Sequence, residues 1–202
     1  MILGLVGSEM CIRDRYVVVN QNLCTRIPDN TDIKEASFTV LGSIALHGLR
    51  LSETSLGSKV VVIGLGIIGQ LVCRLAEAQG SEVIGIDPDT KRTDLSANFY
   101  TSVEEANMTN VDSVIITAAT SSNEPIEVAT KIARNKAKIV VVGDIPLNIS
   151  RNDFYYKELE LVVSKSYGPG RYDKQYEILG KDYPIEYVRW TENRNFEAFI
   201  KL

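Results

Sequence analysis

KVVVIGLGIIGQ, residues 59–70, decides the fold. Val60 to Ile63 form a β-favouring apolar run that leads straight into Gly64, Gly66 and Gly69, spaced as G-x-G-x-x-G. That spacing is common by itself and takes its meaning from its flanks. Here the preceding run has strand length, and QLVCRLAEAQG (70–80) reads as a helix ended by Gly80. Between a strand and a helix each glycine has a task. Gly64 permits the sharp turn, Gly66 lets backbone amides approach a pyrophosphate, and Gly69 lets helix and strand pack closely. The pyrophosphate would rest at the helix N-terminus, where unpaired N–H groups and the helix dipole favour negative charge.

A second signal follows the glycines at the required distance. EVIGID (82–87) reads as a second strand that ends on Asp87. A carboxylate about 20 residues beyond the loop can accept both ribose hydroxyls of a dinucleotide. It would repel a 2′-phosphate, which favours NAD over NADP. Lys91 and Arg92 keep NADP open, because either could pair with such a phosphate.

The same rhythm continues outward. NFYTS reads as a small third strand after a short helical stretch near KRTDLSA, and VDSVIITAA (111–119) as a fourth. EPIEVATKIARN (124–135) is expected to be a helix with Pro125 in its first turn. AKIVVVGD (137–144) and ELELVVSKSYG (158–168) supply the fifth and sixth strands. Strands that are apolar on both faces and alternate with helices imply a parallel sheet covered on both sides. The expected fold is α/β, a doubly wound six-stranded parallel sheet of Rossmann type with strand order 3-2-1-4-5-6. Ligands bind such sheets beyond the carboxyl ends of the strands, where the order reverses. The candidate coenzyme contacts are therefore Gly64, Gly66, Ile67, Ile68, Gly69, Asp87, Arg92, Thr117, Ala118, Gly143, Asp144 and Ile145. Asp144 reads equally well as a ribose or amide contact and as a solvated strand end.

Upstream, YVVV (16–19) reads as a short strand and LCTRIPDNTD as a turn-rich connection. Thr31 or Asp32 could cap a helix running through IKEASFTVLGSIALHGLR, with Gly42 marking a break or a close backbone approach. Residues 1–15 are set aside: GLVGSEMCIRDR resembles translated sequencing-adapter sequence, and the start lacks the basic region of a secretory signal. The expected domains are a non-native or disordered leader at 1–15, the end of a catalytic domain with a connecting helix at 16–50, the coenzyme domain at 51–166, and a return arm at 167–202. That arm closes in a helix at NRNFEAFIKL that runs to the last residue without a cap, as in a truncated chain.

A net charge of −4 gives no reason to expect nucleic acid or an anionic membrane as partner. No apolar run reaches the ~18 to 20 residues of a membrane span. Cys11, Cys24 and Cys73 lie far apart with no metal-ligand spacing, which fits a reducing cytoplasm and no metal site.

The residues offer no catalytic site. His47, the single histidine, sits in the apolar segment SIALHGLR and reads as a packed side chain more readily than a proton relay. Tyr167, Arg171 and Tyr172 in SYGPGRYD could hold an anionic or sugar substrate, although packing of the arm explains them as well. The pairs Glu104 with Glu105 and Glu158 with Glu160 read as solvated faces, and Cys73 as core.

KVVVIGLGIIGQLVCRLAEAQGSEVIGIDPDTKR, preceded by IPDNTDIKEASFTVLGSIALHGLR, resembles the coenzyme domain of medium-chain, zinc-type alcohol dehydrogenases, nearest to the sorbitol and threonine dehydrogenases. The tail SKSYGPGRYDKQYEILGKDYPIEYVRWTENRNFEAFIKL resembles a bacterial branch fused to a glucose–fructose-oxidoreductase-like domain. The resemblance implies an NAD(P)-dependent oxidation of an alcohol, or reduction of a carbonyl, on a sugar-like substrate. It also implies that any zinc belongs to a catalytic domain this chain lacks, so that the chain alone binds NAD(H) without turnover. Val40 and Leu41 stand where some relatives place a Glu-Pro ligand pair. The family further implies a homodimer through the sixth-strand edge, LELVVSK (159–165), since so apolar an edge needs a cover. The alternative function is an NAD-sensing regulatory module, which would need no return arm.

Overall fold

The computed structural model describes residues 17–96 and 98–202. They form two compact units, residues 44–164 and residues 17–43 with 165–202. In chain order the elements begin with a 3-10 turn at Gln21–Leu23, α1 (Ile33–Ala36) and α2 (Thr39–Leu51). Then come β1 (Lys59–Ile63), α3 (Ile67–Ala78), β2 (Glu82–Ile86), α4 (Thr90–Thr93), β3 (Phe99–Tyr100) and α5 (Val103–Ala106). They continue with β4 (Val111–Ile116), α6 (Glu124–Ile132), β5 (Ala133–Val141), α7 (Arg151–Lys157) and β6 (Glu160–Val163). The last are α8 (Lys174–Glu177) and α9 (Glu192–Phe199).

In the 44–164 unit all six strands pair in parallel in the order β3-β2-β1-β4-β5-β6, the order expected from the sequence. The period of two divides the apolar strands between two cores. Val61, Ile63, Val114, Ile116, Ile139 and Val141 pack with Ile126, Ala129 and Ile132 of α6. Val60, Val62, Ile115 and Val140 pack with Ala45 and Leu49 of α2 and with Val72, Cys73 and Ala76 of α3. Each central strand is buried on both faces, which is why it reads as an unbroken apolar run. The register pairs Val60 with Ser113 and Ile63 with Ile116, so the ends of β1 and β4 lie side by side.

Three expectations need correction, and one alternative is decided. Val17 and Val18 pair with no strand and are exposed; Tyr16, like residues 1–15, lies outside the described residues. The helix expected from residue 33 is two helices. The Ser37 hydroxyl donates to the Lys34 carbonyl at 2.6 Å and Thr39 Oγ1 to the Ala36 carbonyl at 2.7 Å, so both compete with the helical ladder. Asp32 caps the first piece through the Lys34 amide at 2.8 Å. Of the two readings of Gly42, close approach holds: it lies inside α2, where an added Cβ would meet the Phe199 ring at 2.1 Å.

The third correction concerns residues 133–135, expected to be helical. α6 stops at Ile132 and Ala133 already pairs with Val111. Lys157 Nζ donates to the carbonyls of Thr130, Lys131 and Ala133 at 2.7, 3.0 and 2.9 Å, ending α6 with a cation at its negative pole. Helices α5, α7 and α8 were not anticipated. The Phe154 side chain of α7 packs against the first core, and the turn closes at Glu158 with φ 49°.

In the other unit, α9 is capped by Thr191, whose hydroxyl accepts from the Arg194 amide at 3.4 Å. Tyr176 of α8 is fully buried, and its hydroxyl accepts from the Asn193 amide at 3.2 Å. The Asn22 side chain donates to the Tyr176 carbonyl at 3.0 Å, tying the 3-10 turn to α8.

Candidate coenzyme site

The glycine loop joins β1 to α3 at the carboxyl edge of the sheet, beside the end of β4. Gly64 has φ +99°, which an L side chain rarely adopts, and a Cβ there would meet the Ala118 amide nitrogen at 2.6 Å. A Cβ on Gly69 would strike the Gly64 carbonyl oxygen at 1.8 Å, and one on Gly143 the Ala118 carbonyl oxygen at 1.9 Å. These three glycines are demanded by the protein's own packing. Gly66 is different: its φ of −65° and ψ of −173° suit any residue, and nothing lies within 4 Å of an added Cβ. It is the N-cap of α3, with no side-chain cap, so the first-turn amides of the helix face outward without a protein side chain to satisfy them.

Asp87, at the end of β2, is 3% exposed. Its Oδ2 accepts from the Leu65 amide at 2.7 Å and from Arg92 Nη1 at 3.0 Å, and its Oδ1 from the Asp89 amide at 3.0 Å. Burial pushes this carboxyl up, but the amides of Asp89 and Leu65 and the Arg92 guanidinium outweigh it and hold it below the usual carboxylate range. The group is an anchored carboxylate that braces the glycine loop and keeps acceptor capacity on Oδ1. Arg92 also lies 3.6 Å from Asp89 Oδ2 and is half exposed.

The other nominated residues cluster at the same sheet edge through β1, β4 and β5. Thr117 and Ala118 amides both donate to the Ile63 carbonyl, at 2.8 and 3.1 Å. The Gly143 amide donates to the Ile116 carbonyl at 3.0 Å. Asp144 is exposed and its carbonyl accepts from Thr120. The side chains of Ile68 and Ile145 pack into the two cores, leaving only their backbone for a ligand, whereas Ile67 is exposed. Sequence reasoning passed over Gln70, whose Nε2 donates to the Leu65 carbonyl at 2.8 Å. The available signal was a long donor side chain one residue after the last glycine.

His47 is buried in α2; burial, aided by the Arg50 charge, lowers its pKa to about 4 and keeps it neutral. Cys73 is core, its thiol pushed up to about 12 by burial. In the second unit Arg171 pairs with Glu177 at 2.6 Å and lies over the rings of Tyr167 and Tyr172, so its charge is occupied locally. Glu104 pairs with Lys131 and Glu158 with Lys136, all exposed. Among the described residues no three His, Cys, Asp or Glu side chains could hold a metal ion, and no helix is long and apolar enough to cross a membrane.

Residues 40–154 match the family model described as D-isomer specific 2-hydroxyacid dehydrogenase, NAD binding domain. The chain belongs to that family. A longer stretch of the chain resembles 2-dehydro-3-deoxy-L-galactonate 5-dehydrogenase of Pseudoalteromonas atlantica, at 28% identity over 174 residues, covering 76% of this chain and 49% of that protein. Sorbitol dehydrogenase of Bos taurus is 29% identical over 118 residues, 58% of this chain and 30% of that one. The chain thus spans about half the length of the first of these relatives and less of the second. Among solved structures, a zinc-binding dehydrogenase assignment from Sinorhizobium meliloti 1021, bound to NADP, superposes with a TM-score of 0.63 at 26% identity, covering 70% of this chain and 47% of that one. Galactitol-1-phosphate dehydrogenase of Escherichia coli gives a TM-score of 0.70 at 20% identity over 92% of this chain and 54% of its own, a likeness of fold. These relatives are polyol and alcohol dehydrogenases of the zinc-type medium-chain group, and the family model adds the NAD-binding assignment.

Proposed function

We propose that the chain is the coenzyme-binding part of a dehydrogenase that oxidises an alcohol, or reduces a carbonyl, on a polyol or sugar-like substrate. The observation that carries this reading is the contrast among the glycines. Gly64, Gly69 and Gly143 are crowded by the protein, while Gly66 opens onto space at a helix N-terminus. A glycine that the fold does not require, placed where amides face outward, suits a pyrophosphate that must lie against the backbone.

In this reading Gly64, Gly66, Ile67, Ile68 and Gly69 bind the pyrophosphate through their backbone. Asp87 takes the adenosine ribose, with Arg92 beside it, and Thr117, Ala118, Gly143, Asp144 and Ile145 border the nicotinamide half. NAD is preferred to NADP because a 2′-phosphate would meet the Asp87 carboxylate. When bound, the coenzyme supplies the hydride chemistry, and the group that handles the substrate's proton, with any zinc, comes from outside the described residues. Residues 51–166 act as the coenzyme domain, 16–50 as the end of the catalytic domain with its connecting helix, and 167–202 as the arm that returns to it; in the branch that the tail resembles, a second oxidoreductase domain is fused to this dehydrogenase. The protein acts in the cytoplasm as a homodimer joined at β6, without nucleic acid or membrane partners.

Titrating the purified chain with NADH while following energy transfer from protein fluorescence tests the reading. Saturable binding that Gly66→Val abolishes is expected. Absence of binding at millimolar NADH, or an affinity indifferent to that substitution, overturns it.

A further inference from the structure

Two consecutive peptide units of the glycine loop are held by side chains from outside the loop, and the next by the first helical bond of α3. In the first, Gly64–Leu65, the carbonyl accepts from Thr117 Oγ1 at 2.5 Å and the amide donates to Asp87 Oδ2 at 2.7 Å. In the second, Leu65–Gly66, the carbonyl accepts from Gln70 Nε2 at 2.8 Å. The next unit, Gly66–Ile67, is held by α3 itself, its carbonyl accepting the first i→i−4 bond from the Gln70 amide at 3.0 Å. The described chain has no cis peptide, and in a trans unit the C=O and N–H point in opposite directions. Fixing the carbonyls of Leu65 and Gly66 toward Gln70 therefore turns the amides of Gly66 and Ile67 away from it. Those amides sit on the open side of the helix N-terminus, where no earlier turn supplies an acceptor.

The structure assigns Thr117 and Gln70 as positioning residues for the coenzyme's pyrophosphate: they lock the peptide planes on either side of Leu65, so that the Gly66 amide is aimed, beside the Ile67 amide that α3 itself orients, before any ligand arrives. This rests on the coenzyme reading above and goes beyond it, since Thr117 acts through Gly64 and Gln70 through Leu65. A loop already ordered gives up less conformational freedom on binding, and that saving appears as affinity. The two side chains come from different elements, the end of β4 and the first turn of α3, so either can be removed without the other.

The test compares ADP-ribose, which carries the pyrophosphate, with adenosine, which does not, by calorimetry and ligand-observed NMR. The proteins are the wild-type chain, Thr117→Val, Thr117→Ser and Gln70→Met, each checked for folding by circular dichroism. Thr117→Val and Gln70→Met are expected to weaken ADP-ribose about tenfold and to leave adenosine within about twofold. Thr117→Ser, which keeps the donor, should bind both ligands as the wild type does. A wild-type chain that fails to bind ADP-ribose overturns the coenzyme reading itself. With wild-type binding intact, the proposal falls under any of three results: unchanged ADP-ribose affinity, equal weakening of both ligands, or a serine variant no better than valine. Should Thr117→Val not fold, Gln70→Met decides by the first two results.

Discussion

At Gly143 an added methyl would strike a backbone oxygen at 1.9 Å, whereas at Gly66 it would reach nothing within 4 Å. The two glycines should therefore respond in opposite ways to the same substitution. Gly143→Ala must push the ends of β4 and β5 apart and is expected to cost about 3 kcal/mol, read as a lower urea midpoint. Gly66→Ala keeps an ordinary backbone conformation and loses only a modest N-cap preference, within about 1 kcal/mol, yet it should weaken NADH binding more than tenfold. A stable Gly143→Ala or an unfolded Gly66→Ala would contradict the packing described above. Arg92 invites a different substitution. It is the cation on the Asp87 carboxylate, and replacing it by alanine leaves that negative charge uncompensated on its exposed side. NADPH affinity should then fall about tenfold further than NADH affinity, by the repulsion of carboxylate and 2′-phosphate. Equal losses for the two coenzymes would show that Arg92 takes no part in the discrimination.

The elements that the sequence made legible are those whose signal is local. Val60–Ile63 run unbroken into glycines, and Gly80, at φ +89°, ends α3 as its position suggested. Asp87 was legible by its distance from the loop; its burial and its grip on the Leu65 amide were not, because both depend on the strand pairing. What escaped reading was set by partners far along the chain. Ala133 to Asn135 continue a good helical pattern, and it takes Lys157, more than twenty residues later, to satisfy the carbonyls that end α6. Val17 and Val18 have strand propensity but find no strand to pair with, which propensity cannot report. At the edge, β6 gives its Ser164 amide to the Val141 carbonyl at 2.8 Å, so by alternation the Val163 amide points away from β5. Val163 is also 60% exposed. If two copies join edge to edge at β6, Val163→Pro removes an outward donor while sparing the inward ladder. Sedimentation should then find a monomer of unchanged fold; a wild-type chain that is already monomeric at high concentration would end the proposal of a β6 dimer.

Across the whole molecule, two buried groups make stability depend on pH in opposite senses. His47, in the 44–164 unit, has its pKa lowered to about 4 by burial and then by Arg50. Between pH 4 and 6.5 the unfolded chain binds a proton there that the folded chain does not, so stability is lost as pH falls through that window. Glu192 opens α9 in the other unit, 1% exposed, with Oε2 lacking a hydrogen-bond partner. Burial, then Glu177, raises its pKa to about 7 against the pull of Arg171. Here the folded chain holds the extra proton, so stability present below pH 4.5 is lost as pH rises through 7. Each group alone gives a slope of about 1.4 kcal/mol per pH unit inside its window. Where the windows overlap, from pH 4.5 to 6.5, the two slopes cancel and the wild-type urea midpoint should be nearly level. The carboxylates held low, Asp87 and Asp112 among them, act below that range and do not disturb it. His47→Gln should leave the Glu192 slope exposed, with stability falling as pH rises from 4.5 to 6.5. Glu192→Gln should give the reverse, a chain that gains stability over the same interval. A double variant that is again level would confirm that the balance comes from these two groups, while single variants as flat as the wild type would refute it.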